Sequence, residues 1–232
     1  RHTRLQGDWS SDVCSSDLIH LAGLKSVGES IKDPLRYWEI NVRGSLLLLQ
    51  VMEEVGCRTI VFSSSASIYG LQERVPIIET TAINPINPYA CTKASVERLL
   101  SDLASSESGW RVACLRYFNT VGAHPSGKIG ESPMTVPTNL FPLITQVLSG
   151  QRESLIIYGQ NWPTPDGTCI RDYIHVMDLA DGHVAALQKL LAQDPQILRL
   201  NLGTGVGHSV LEVLQAFESE SGRSEEHTSE LQ

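Results

Sequence analysis

The sequence predicts an α/β fold built on a parallel sheet, and three observations carry that prediction. Runs rich in β-branched residues alternate along the chain with longer stretches of helical periodicity. The segments between successive strands are long enough to cross back over a sheet, which parallel pairing requires. The composition, 232 residues with 41% hydrophobic and 19% charged side chains, is that of a globular chain and excludes wholesale disorder.

Taken in order, Leu18 to Ala22 (L-I-H-L-A) reads as a short buried strand that stops at Gly23. Pro34 to Val55 reads as one helix ended by Gly56, with Leu35, Trp38, Val42, Leu46 and Val51 on its core face. Arg58 to Ser63 is a strand. Residues 70–88 hold Pro76, Pro85 and Pro88 and read as loop. Tyr89 to Leu103 is helical, and Trp110 to Tyr117 is a strand. This order implies right-handed crossovers, with ligands bound beyond the carboxyl ends of the strands. After Asn119 the pattern loosens into a Gly/Pro-rich loop. A helix at 140–148, a strand at 155–158, a helix at 178–191, a strand at 197–202 and a helix at 209–217 then read as a smaller second unit. The resulting division is 19–118 and 119–222.

The two ends stand apart. Residues 1–18 and 223–232 show neither helical nor strand periodicity, and the first lacks the apolar core of a signal peptide. The tail can be written AGA TCG GAA GAG CAC ACG TCT GAA CTC CAG. The reverse complement of that stretch translates in one frame to W-S-S-D-V-C-S-S-D-L, which is Trp9 to Leu18. One nucleotide element in opposite orientations thus accounts for both ends, as a translated library adapter would. The expectation is that both are foreign to the fold and that 19–222 is an internal piece of a longer protein.

Charge and cysteines narrow the partners. The formal net charge is −8, and Lys and Arg are scattered, which argues against a nucleic-acid or membrane-surface partner. Apolar runs such as Ser45 to Val51 are far too short to span a bilayer. The cysteines at 14, 57, 91, 114 and 169 form no C-x-x-C pair. A sparse, odd set suits reduced thiols in a cytoplasmic protein, with no metal site.

One constellation carries chemistry. The strand 58–63 runs into S-S-S-A-S-I-Y-G, which places Ser65 just past its carboxyl end. Tyr89 and Lys93 follow as Y-x-x-x-K at the start of a helix, and positions i and i+4 share a helix face. A phenol is a poor base at neutral pH, and a nearby ammonium would favour its ionised form. With a serine hydroxyl to orient an alcohol, the set can remove a proton as hydride leaves the adjacent carbon. Tyr69 in the same run is read as packing beneath the loop. L-N-L-G-T-G-V-G (200–207) imitates a dinucleotide-binding turn, but its last glycine spacing is wrong, and it is read as a tight turn beside the site.

Five motifs carry a resemblance: A-G-L-K-S-V-G-E-S (22–30), F-S-S-S-A-S-I-Y-G (62–70), N-P-Y-A-C-T-K (87–93), R-Y-F-N-T-V-G-A-H-P-S-G (116–127) and D-G-T-C-I-R-D-Y-I-H-V-M-D-L-A-D-G-H (166–183). Over 19–222 the chain resembles the UDP-glucose 4-epimerase family, within the extended short-chain dehydrogenases/reductases. The resemblance implies a partial Rossmann-type parallel sheet that lacks its N-terminal part, followed by a truncated UDP-sugar-binding α/β unit. It implies Tyr89 as catalytic base and acid, Lys93 as its electrostatic partner and a ribose ligand, and Ser65 as the hydroxyl that orients the sugar. It places Lys25, Tyr89, Lys93 and Phe118 at NAD. It places Val27, Gly28, Glu29, Ser65, Asn119, Asn139, Leu140, Tyr158 and Arg171 at the UDP-sugar, where a guanidinium can grip diphosphate. The alternative for Arg171 is a surface ion pair with Asp172. His20, His175 and His183 are read as structural.

The same resemblance implies interconversion of UDP-glucose and UDP-galactose in a homodimer formed through the helices 34–55 and 89–103. The family's Gly-rich N-terminal turn is absent, and its P-N-N-L stretch is here Pro137-Thr138-Asn139-Leu140; the fragment is therefore expected to be inactive by itself. Three other readings compete. A 4,6-dehydratase would need an acid pair after the strand-tip hydroxyl, where Ala66 and Ser67 stand. An epimerase for another UDP-sugar differs in pocket volume, which spacing does not give. A nonenzymatic NAD-sensing module would show an eroded Tyr/Lys pair, and both residues are present.

Overall fold

The structure, a computed structural model, describes residues 17–106, 109–131, 137, 139–157, 159, 161–222 and 229–231. Its centre is a four-stranded sheet in the order β1 (Asp17–His20), β2 (Thr59–Ser65), β3 (Arg111–Tyr117) and β7 (Ile197–Leu202). Every pairing in it is parallel, with Ile60↔Val112 and Cys114↔Arg199 marking the register. T-I-V-F-S and V-A-C-L are near-continuous apolar runs because both faces of the sheet are covered.

Alternation divides those side chains between two layers. Ile60, Phe62, Val112 and Cys114 point to one side, where Leu49 and Met52 of α3 (Gly44–Glu54) and Val96 and Leu100 of α4 (Pro88–Ser106) meet them. Val61, Ala113 and Leu115 point to the other side, against Ala186 and Leu190 of α6 (Val176–Ala192). Each such fully buried aliphatic or aromatic side chain contributes roughly 1.5–3 kcal/mol. A separate core joins α5 (Leu140–Leu148), β5 (Leu155–Ile157) and α7 (Val210–Ser221) through Ile144, Val147, Leu155, Ile157, Val213 and Leu214. Between the two cores lie β4 (Asn119–Val121), β6 (Ile170–His175) and β8 (Gly207–Ser209), a three-stranded sheet of its own.

Several expectations change. The segment 34–55 is not one helix. Four residues of α2 (Pro34–Tyr37) lead into a π-helical turn, Trp38–Arg43, and then α3. Its core face is also largely a different one: Tyr37, Asn41, Ser45, Leu49 and Met52 are buried, Leu35, Trp38, Leu46 and Val51 are exposed, and of the expected face Val42 alone packs, half-buried, against the core. The reason is polar. Asn41 accepts from Leu24 N (2.8 Å) and donates to Leu24 O (3.0 Å) and Thr92 Oγ1 (3.1 Å), and Ser45 Oγ lies 2.9 Å from His20 Nε2. The first strand covers Asp17–His20, and only His20 of it is buried, because β1 is an edge with one neighbour. The division at 118/119 does not follow the sheets, since α6 and β7 return to the first one. Part of the tail read as patternless, β9 (Ser229–Leu231), pairs in parallel with β5, which has no other strand partner among the described residues.

Candidate active site

The carboxyl ends of β2 and β3 open onto a cavity of about 900 Å³. Ser65 is the last residue of β2 and caps a 3₁₀ turn, Ala66–Tyr69, by accepting from Ser67 N at 3.2 Å and from Ser67 Oγ at 2.9 Å. With both bonds accepted, its own proton is free to be donated. Tyr89 enters from the first turn of α4, which Pro88 starts and Asn87 Oδ1 stabilises by accepting from Ala90 N at 2.9 Å. Ser65 and Tyr89 both line the cavity, and the Ser65 hydroxyl favours the ionised form of the Tyr89 phenol.

Lys93 lies beneath them, 6% exposed. Its Nζ donates to Ser63 O at 2.7 Å and sits 5.0 Å from the Phe62 ring centre and 6.0 Å from that of Tyr89. Burial lowers its pKa to about 8. For Tyr89 burial acts the other way and holds the phenol above its ordinary value, although the Ser65 hydroxyl pulls it back in part. Desolvation is the largest influence on this phenol, and the expected acidification by the ammonium is not among the influences that lower it. Tyr117, at the end of β3, is held up at about 12, first by burial and also by the neighbouring Tyr89. Its hydroxyl is bonded to His183 Nε2, and His183 Nδ1 lies 2.8 Å from Leu179 O.

Of the residues singled out from sequence, Lys25, Ser65, Tyr89, Phe118, Asn119, Asn139, Leu140 and Arg171 line this one cavity, and Lys93 supports it from below. Val27, Gly28 and Glu29 do not line it. Ser26 caps α1 (Val27–Lys32) there, and Glu29 accepts instead from Arg36 Nη1 (2.6 Å) and Tyr37 OH (3.0 Å). Tyr158 lies outside the described residues. The ion pair of Arg171 with Asp172 does not form. Asp172 accepts from Thr204 N (2.9 Å), Thr204 Oγ1 (2.8 Å) and Gly205 N (2.8 Å), so it clasps the 203–207 turn. That turn needs a glycine at 203, where a Cβ would come within 2.8 Å of the Phe118 ring. His20 and His175 also serve the frame, the latter by capping α6 at Met177 N.

Sequence reasoning missed Glu131, which accepts at the cavity rim from Lys25 Nζ (3.3 Å) and Asn139 Nδ2 (3.1 Å). It also missed a buried ion pair between Glu97 and Arg116. The signal for Glu97 was present, because Tyr89, Lys93 and Glu97 recur every four residues along one face of α4.

The donor set fits a nicotinamide dinucleotide. Lys93 spends one of its three N–H bonds on Ser63 O, which leaves two for ribose hydroxyls, and Phe118 offers an aromatic wall. Among the described residues, no group of acidic, histidine or cysteine side chains could hold a metal ion.

A parallel sheet with a Ser/Tyr/Lys set at its carboxyl edge defines a class of oxidoreductase-type sites. The chain belongs to the NAD dependent epimerase/dehydratase family, whose profile matches residues 8–203. It is 52% identical over 206 residues to UDP-glucose 4-epimerase 2 of Arabidopsis thaliana, covering 89% of this chain and 59% of that one. It is 51% identical over 206 residues to the UDP-glucose 4-epimerase of Bacillus subtilis (strain 168), covering 89% and 60%. Among solved structures, the UDP-glucose-4-epimerase of Stenotrophomonas maltophila with bound NAD and formylated UDP-arabinopyranose superposes with a TM-score of 0.88 at 48% identity, covering 92% of this chain and 63% of that one. The UDP-glucose 4-epimerase of Bifidobacterium longum in complex with NAD+ and UDP gives 0.87 at 43%, with 92% and 63% covered. The chain therefore spans about three fifths of the length of the curated relatives it matches.

Proposed function

We propose that the complete protein is a UDP-glucose 4-epimerase that interconverts UDP-glucose and UDP-galactose with bound NAD. The observation that carries this reading is the convergence of Ser65, Tyr89 and Lys93 on one cavity lined also by Lys25, Phe118, Asn119, Asn139, Leu140 and Arg171. Tyr89 accepts the proton of the sugar 4-hydroxyl as that alcohol is oxidised, and returns it when the ketone is reduced. Ser65 holds the 4-oxygen and the phenol in line. Lys93, short of a carboxylate partner among the described residues, stabilises the phenolate. Lys25, Lys93, Tyr89 and Phe118 would hold NAD, which supplies the hydride acceptor and donor at sugar carbon 4. Arg171 would take the diphosphate, and Asn119, Asn139 and Leu140 the rest of the UDP-sugar.

In this reading 19–118 contributes most of the NAD-binding part and 119–222 most of the UDP-sugar part. The protein works in the cytoplasm as a homodimer through the helices 34–55 and 89–103. The exposed apolar stripe Leu35, Trp38, Leu46 and Val51 supports that surface. Among the described residues no helix is long and apolar enough to cross a membrane.

The test is to extend the chain to the length of its relatives, supply UDP-galactose, and follow the sugar by proton NMR. The reading predicts UDP-glucose at equilibrium with its epimer. A 4-keto-6-deoxy product would mark a dehydratase instead, and an unchanged spectrum a binding module.

A further inference from the structure

Ser64, the neighbour of Ser65 on β2, also borders the cavity, but its side chain turns to α4. It is 1% exposed, and its hydroxyl donates to the Glu97 carboxylate in the body of α4. Glu97 is itself 2% exposed. It is gripped at both oxygens by Arg116 of β3, from Nε at 3.1 Å and from Nη2 at 2.8 Å. Arg116, 1% exposed, spends Nη1 on Tyr69 OH (2.8 Å) and Glu79 O (3.1 Å), and Tyr69 OH donates to Asn201 Oδ1 of β7 at 2.7 Å. One carboxylate therefore ties the tip of β2 to α4, to β3 and to the loop after Tyr69.

A buried ion pair is a weak source of stability, because desolvation offsets most of its attraction; such pairs are better explained by what they specify. Here they specify a distance. Ser65 must be presented to Tyr89, and these two residues sit on different elements, β2 and α4. The Ser64–Glu97 bond fixes the register of those two elements one residue from Ser65 and two helical turns from Tyr89. Glu97 is also four residues after Lys93 on the same helix face, where a carboxylate would ordinarily pair with the ammonium. The bidentate Arg116 contact takes up that carboxylate, and Lys93 donates to a backbone carbonyl instead.

We propose that Glu97 is a positioning residue of the active site: held by Arg116, it anchors Ser64 and so keeps Ser65 on Tyr89, while its charge stays off Lys93. The proposal rests on the epimerase reading above, and its test separates the two. In the full-length protein, Ser64→Ala removes the anchor and leaves the Glu97–Arg116 pair whole. It should lower kcat by about tenfold to a hundredfold, as misplacement of a reacting group does, with KM and bound cofactor unchanged. Ser64→Thr should restore most of the loss, since its hydroxyl can reach Glu97 again. A second readout needs no turnover: the phenol of Tyr89, followed by ¹³C NMR on labelled tyrosine with Tyr89→Phe to assign it, should titrate at higher pH in Ser64→Ala, because the Ser65 hydroxyl that favours the phenolate is loosened. The groups that face this phenol are Ser65 from β2, Tyr117 from β3 and Lys93 from α4. An unshifted Tyr89 titration, or a kcat within twofold of the parent, would overturn the proposal. So would a loss of KM, cofactor and melting temperature together, which marks general loosening. If the parent protein binds NAD and shows the titration shift but does not epimerise, the functional reading fails and the positioning role stands.

Discussion

Burial acts on Tyr89 and Lys93 in opposite directions, raising the phenol and lowering the ammonium, and both shifts oppose charge in a desolvated site. The site is paid for in stability. Lys93 falls from 10.5 to about 8 on folding, so the unfolded chain binds more protons between those pH values. Stability therefore rises with pH through that window, and the cost is fully present below it. Lys93→Met should stabilise the full-length protein below pH 8 by up to about 3 kcal/mol, and the advantage should shrink toward pH 10.5, as urea unfolding at a series of pH values will read. The same variant should lose its turnover. A variant less stable than the parent at pH 7 would contradict this account of Lys93. The Ser65, Tyr89 and Lys93 positions were legible in the sequence because spacing alone puts two of them on one helix face. Glu97 continues the same helix face four residues on, but its pairing with Arg116 was not legible, because charged residues on a strand ordinarily face water and only the fold shows that these two face each other.

At the scale of elements, β2, α4, β3, α6 and β7 were readable because their apolar periodicity, and the breakers between them, announce them. The segment 34–55 was misread for a physical reason. Its apolar stripe faces outward, and the inward stripe contains Asn41 and Ser45, whose polarity is consumed by bonds to Leu24, Thr92 and His20. Asn41 clamps the backbone immediately before Lys25 by donating to and accepting from Leu24, as a neighbouring strand would. Asn41→Leu, close in volume, should cost about 1–3 kcal/mol in chemical denaturation, and should bring the Leu24 amide into rapid hydrogen exchange. Protection of that amide without Asn41 would show that something else holds the loop. The short strands β4, β6 and β8 were not foreseen, since their residues are half-exposed and lack a clean alternation.

At the scale of the molecule, the sheet and its two covering layers followed from the order of elements, whereas the return of α6 and β7 to the first sheet did not. Local periodicity carries no information on which sheet a strand joins. The outward stripe on 34–55 supports a two-fold interface. Leu46→Lys should convert a dimer of the full-length protein to monomer in sedimentation velocity while leaving each subunit folded, and an unchanged sedimentation coefficient would place the interface elsewhere. The whole account turns on one oxygen atom, the phenol of Tyr89. The most direct measurement is turnover of UDP-galactose by the full-length Tyr89→Phe variant beside the parent. The account predicts a loss of about 10²–10⁴-fold in kcat with bound NAD retained; a variant that turns over like the parent would contradict it.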